Sequence, residues 1–164
     1  MMKKKLTVLA LAVSLILALS CCGHPRYAMG ISALESGGAG ACDFDIDVIA
    51  GAYPSVYVLV SYAGPGEELE IYTGDPMVGL ALYDGDGQLV GSSFTNTVAV
   101  FTTLRKDELE KTAFDLSHMA ENMGGSLSEG VYRLEVTLSY TLSEESRDTF
   151  TASRSFALEL TKAA

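Results

Sequence analysis

Few side chains in this chain could do chemistry: three cysteines, Cys21, Cys22 and Cys42, two histidines, His24 and His118, and carboxylates gathered in short runs. A cysteine nucleophile needs a base within hydrogen-bond reach, and Cys42 has no histidine near it in sequence. His118 lies among Asp115, Ser117 and Glu121, but no nucleophile in a Gly-x-Ser-x-Gly elbow accompanies it, so a surface histidine is expected. No phosphate loop, dinucleotide fingerprint or zinc-spaced Cys/His cluster occurs in the sequence. Asp43, Asp45 and Asp47 could ligate calcium, yet the loop that does so needs Gly at its sixth position and Glu at its twelfth, where this chain has Val48 and Pro54. They read instead as the solvated face of a strand. Asp84 and Asp86 alternate with Gly85 and Gly87, the residue types that tight turns require. Together with Glu144 and Glu145 in the polar stretch Ser143 to Asp148, they are the candidate loop contacts to a partner. The expectation is a non-enzymatic chain with no catalytic residues, no metal and no cofactor.

The first residues constrain location. Lys3, Lys4 and Lys5 precede an apolar run from Leu6 to Leu19 interrupted only by Thr7 and Ser14, the order of an export signal. As a helix that run would span roughly 21 Å, short of the ~30 Å hydrocarbon core of a bilayer, so a spanning helix is the poorer reading. Leu17-Ala18-Leu19-Ser20-Cys21 resembles the lipobox of bacterial lipoprotein precursors. The resemblance implies cleavage after Ser20 and a diacylglycerol on the Cys21 thiol, whose paired acyl chains hold a membrane where one chain would not. An ordinary secretory signal cleaved nearby is the alternative, and Cys22 fits less well because Cys21 precedes it. Residues 1–20 form the expected lipoprotein signal peptide, 21–41 a lipidated N-terminus and flexible linker, and 42–164 the folded domain.

Charge narrows the partners. The net charge is −10, and loss of three lysines with the signal leaves −10 − 3 = −13. Such a surface repels nucleic acid and anionic headgroups. The expected partners are the membrane through the lipid on Cys21 and another envelope protein or a protease, with no nucleic acid. Cys22 and Cys42 are too few for a disulfide framework.

Period-two alternation positions everything after Cys42. Phe44, Ile46 and Val48 alternate with Asp43, Asp45 and Asp47; Val56, Val58, Val60 and Tyr62 share one face; Leu69 and Ile71 form a run that Thr73-Gly74-Asp75-Pro76 is expected to close. Val78, Leu80 and Leu82 begin another strand, joined through Asp84-Gly85-Asp86-Gly87 to Leu89-Val90, since Asp-Gly pairs suit tight hairpins. A run follows over Thr97 to Leu104, and then two long ones built on Tyr132, Leu134, Val136, Leu138 and Tyr140 and on Phe156, Leu158 and Leu160. Gly23 to Ala41 lacks periodicity and reads as a tether. Between Lys106 and Met123 a helical spacing competes with a strand at Thr112 to Ser117. Many short alternating strands predict an all-β antiparallel sandwich or barrel. The seven tyrosines after residue 50 read first as sheet-packing residues with wet hydroxyls, and secondly as a binding face.

Leu69-Glu70-Ile71-Tyr72-Thr73-Gly74, Leu80 to Val90 with its Asp-Gly turn, and Glu129-Gly130-Val131-Tyr132 entering a strand resemble the BsuPI-type proteinase inhibitor family over roughly residues 55 to 140. The resemblance implies an immunoglobulin-like β-sandwich, favours the strand at Thr112 to Ser117 with room for a helical turn after it, and implies an exposed inhibitory loop at Asp84 to Gln88 or Ser143 to Asp148. The Trp-containing segment of that family is absent, with Ser92-Ser93-Phe94 in its place.

Overall fold

The computed structural model describes residues 27–34, 43–96, 98–146 and 148–163. The expected signal peptide, the expected lipidation position Cys21, and Cys22, His24 and Cys42 lie outside the described residues.

Alternating burial sorts the strands into two antiparallel sheets. In the smaller, β2 (Phe44–Ala50), β3 (Ser55–Tyr62) and β7 (Glu110–Asp115) lie in the order β2-β3-β7. Phe44, Ile46, Val48, Val56, Val58, Val60 and Phe114 point inward, and Asp45 and Asp47 point to solvent as their alternation requires. The larger sheet runs β1 (Tyr27–Ala33), β9 (Phe150–Lys162), β8 (Gly130–Thr141), β4 (Glu68–Tyr83) and β5 (Leu89–Ser93), with β6 (Val100–Arg105) also on β4. Its inner face carries Ile71, Leu80, Leu82, Leu134, Val136, Leu138, Phe156, Leu158 and Leu160, all buried. The two faces close on one another as an all-β sandwich with a single continuous core.

Two expectations change, and a third, left between strand and helix, is resolved. The tether over residues 21–41 contains a strand: Tyr27–Ala33 pairs with β9 from Tyr27 opposite Lys162 to Ala33 opposite Phe156. Tyr27, Met29 and Ile31 rest half-buried against the core while Ala28, Gly30 and Ser32 face water. The folded domain therefore starts before residue 42. A chain beginning at residue 35 should lose about 2 kcal/mol from the half-buried areas of Met29 and Ile31 and self-associate through the bared edge of β9. Urea unfolding and size-exclusion chromatography check both.

Secondly, Gly74-Asp75-Pro76 does not end a strand. β4 continues to Tyr83 across a register shift between Thr73 and Val78, because the Asn96 N–H donates to the Asp75 carbonyl (3.1 Å) where the ladder lapses. β6 pairs the first half of β4 and β5 the second, so these two strands flank β4 in turn on either side of its register shift. Thirdly, the contested stretch holds both elements. β7 ends at Asp115, whose carboxylate accepts the His118 N–H (2.9 Å) and so caps a short helix, α1 (Leu116–Asn122). Gly124 closes it with a positive φ.

One inward position breaks the apolar rule. Arg154 lies between Ala152 and Phe156 on the inner row of β9, and its Nη1 donates to the Ile46 carbonyl at 2.7 Å. Among the described strands β2 is the outermost of its sheet, so this guanidinium occupies a backbone acceptor on an edge strand.

Candidate functional site

The two candidate loops are built differently and lie apart. At the β4–β5 turn, Asp84 Oδ1 accepts the backbone N–H groups of Asp86 (3.0 Å) and Gln88 (2.8 Å). The Asp84 N–H donates to Gln88 O and the Gly87 N–H to Asp84 O, with Gly87 at positive φ. One oxygen of the Asp84 carboxylate is thus committed to the turn, and only Asp86 projects freely. In the β8–β9 connection, the Ser143 carbonyl accepts from Thr141 Oγ1 (2.9 Å) and the Ser146 N–H (3.1 Å), which leaves Glu144 and Glu145 exposed at the tip.

Tyr83 stands opposite Arg133 and Tyr72 opposite Thr141. The two loops therefore occupy opposite ends of β8, separated by eight residues of strand or roughly 27 Å. Asp84 and Asp86 therefore stand apart from Glu144 and Glu145, as two alternative contact loops rather than one surface.

The group around His118 also dissolves. Asp115 caps α1, Ser117 Oγ bonds the Tyr53 hydroxyl (3.0 Å), and His118 is exposed. Among the described residues no three His, Cys, Asp or Glu side chains stand together as a metal site.

The tyrosines serve several places. Tyr132 Oη donates to Ser128 O (3.0 Å) and accepts the Ser128 N–H (3.1 Å), fixing the chain as it enters β8. Tyr62 Oη accepts the Gly66 N–H, Lys111 Nζ lies 3.7 Å from the Tyr57 ring centre, and the Arg133 guanidinium 4.3 Å from that of Tyr83. They do not make one face.

What the sequence reading missed is a shallow recess of about 300 Å³ beside the register shift of β4. Tyr72 and Gly74 from β4, Thr95, Asn96 and Ala99 from the β5–β6 connection, and Ser139 and Thr141 from β8 surround it, with Thr149. Gly74 is required there, since a Cβ would collide with the Asn96 carbonyl oxygen and come within 2.8 Å of Thr95 Cβ. Among the described residues that line it none is charged, and most bear hydroxyls. Phe94, 79% exposed, and the exposed Val98, Phe101, Leu142 and Phe150 are sequence neighbours of these lining residues. Tyr72 meets Phe101 edge-on at 5.4 Å, and Tyr140 stacks on Phe150 at 5.4 Å. Hydroxyls beside exposed aromatic surface suit non-covalent contact.

Burial, and after it the charge of Asp43, hold the Tyr140 phenol above its ordinary value. A raised value in the folded state means that the folded protein keeps the proton more tightly than the unfolded chain. Its contribution to stability is complete below tyrosine's ordinary pKa of about 10 and is lost as pH rises through the higher folded value. Urea midpoints measured from pH 8 upward should therefore fall in the alkaline limb, and Tyr140→Phe should flatten that fall.

Among the described residues no helix is long and apolar enough to cross a membrane. No protein-family model matches the chain, and no curated protein matches it.

Proposed function

We propose that the protein is a lipoprotein anchored on the extracytoplasmic side of a membrane, whose β-sandwich is a non-enzymatic binding or structural module of immunoglobulin-like type. The observation that carries this is the order Lys3-Lys4-Lys5, a 14-residue apolar run, then Ala18-Leu19-Ser20-Cys21. The immunoglobulin-like part draws support from Tyr132, whose hydroxyl reaches back four residues to the Ser128 carbonyl at the entry to β8, as a tyrosine corner does.

Detergent phase separation of the protein expressed in bacteria tests the anchor. The native chain should enter the detergent phase with its N-terminal cysteine blocked and heavier by a diacylglycerol, and Cys21→Ser should stay in the aqueous phase. Native protein in the aqueous phase with a free Cys21 thiol overturns the reading.

A second reading is favoured by the Asp84 turn. Two backbone N–H groups bonded to one carboxylate stiffen it, which lowers the ordering cost that a flexible inhibitory loop would meet. On this reading the sandwich is a BsuPI-type proteinase inhibitor. Failure of the soluble Cys21→Ser protein to slow a subtilisin-like protease overturns it.

A further inference from the structure

Resting on the lipid-anchor reading, we infer that the sandwich meets the bilayer with the end formed by the start of β1, the end of β9 and the Asp84–Gly87 turn. The recess and the Ser143–Asp148 loop then stand at the end away from the membrane.

The length of the link decides it. β1 begins at Tyr27, and 27 − 21 leaves six residue steps to Cys21. Six residues span at most roughly 20 Å whatever their conformation. Had the fold begun at residue 42, the reach would have been about 70 Å and no end of the domain would have been preferred.

Register identifies the near end. Tyr27 pairs with Lys162, and Gly130 pairs with Leu160 on the next strand. Tyr83, where β4 enters its turn, pairs with Arg133. The Tyr27 ring meets Tyr53 edge-on at 5.0 Å, so the β2–β3 turn belongs to the same end. Every one of these groups is tied to the strand that carries the anchor.

The far end follows from the length of β9. Lys162 to Phe150 is twelve residue steps, roughly 40 Å, about twice the link. At that end lie Asp43, Glu67, Glu68, Glu144, Glu145 and Asp148. Acidic groups stand at both ends, Asp84, Asp86 and Glu129 at the near one, so the short link rather than repulsion sets the orientation. A ligand of the recess would then arrive from outside the anchoring membrane.

The test uses the full lipidated protein with Cys22→Ser and Cys42→Ser, carrying either Asp86→Cys or Glu144→Cys. Both positions are exposed, and the lipidated Cys21 cannot take a thiol dye. Each protein is labelled, incorporated into vesicles of phosphatidylcholine with phosphatidylglycerol and a headgroup-labelled acceptor lipid, and floated. Transfer from position 86 should exceed that from position 144 by about twofold or more, given the roughly 27 Å between the two turns. Floating protein with equal or reversed transfer overturns the orientation alone. Protein that does not float overturns the anchor and the orientation with it.

Discussion

Replacing Phe156 with alanine is expected to lower the unfolding free energy by about 3–5 kcal/mol, a large part of the 5–15 kcal/mol that holds a typical domain folded. Phe156 is 1% exposed, stands between Leu134 of β8 and Ala33 of β1, and faces the inter-sheet core. Its neighbours are held by a ladder that continues on both sides, so the sheet cannot collapse into the vacated space and the cavity stays open. The Arg154 guanidinium lies 5.4 Å from the ring centre. Losing the ring therefore also loosens the group that caps the β2 edge at Ile46. Ser155→Ala, one residue away on the outer face, should change stability by less than about 0.5 kcal/mol. Urea unfolding followed by circular dichroism separates the two. A loss below about 1 kcal/mol for Phe156→Ala would contradict the enclosed core.

The contrast between neighbouring residues explains which parts of the fold were legible. Where one face is buried and the other wet, residue type reports geometry directly, and β2, β8 and β9 could be read from Asp45, Asp47, Arg133 and Glu159 standing between apolar neighbours. β1 obeys the same rule with Tyr27, Met29 and Ile31, but its outer positions are Ala28, Gly30 and Ser32, the residues of a flexible linker. A strand at the rim of a sheet buries only part of one face, so its signal is weak and its composition misleads. β4 was cut short for a related reason. Gly74-Asp75-Pro76 has the local chemistry of a turn, and the bond from Asn96 that carries the strand through comes from a distant loop.

The recess was illegible on the same grounds. Tyr72, Asn96 and Ser139 become neighbours only through strand register, and hydroxyl side chains on an outer face have no period of their own. The one local hint was Ser92 to Asn96, a polar run carrying the exposed Phe94. The candidate turns, by contrast, were placed correctly as turns because Asp-Gly chemistry is local. Their wide separation was not, because it depends on the pairing of β4 with β8.

Gly91→Leu is expected to lift α1 from the sheet and destabilise the domain by about 3 kcal/mol, toward the upper end of what overpacking costs. Gly91 is buried on the inner side of β5, and a Cβ there would lie 3.3 Å from Met119 Cβ and 3.4 Å from the Ala120 nitrogen. Its nearest neighbours are thus helix backbone and a Cβ, neither of which can swing aside as a long side chain would. Alanine needs a shift of a few tenths of an ångström; leucine needs space that exists only if the helix moves. Moving it uncovers Leu116, Met119 and Ala120, all buried in the native domain, while Asp115 keeps its cap only if β7 follows. Hydrogen exchange should therefore rise first at residues 116–122, ahead of β8 and β9, and exposed apolar surface should bind a hydrophobic dye. Gly91→Ala should show a smaller version of the same pattern. Uniform loss of protection across all strands, with α1 no worse than the rest, would mean that the helix is not a separately seated element but part of one indivisible core.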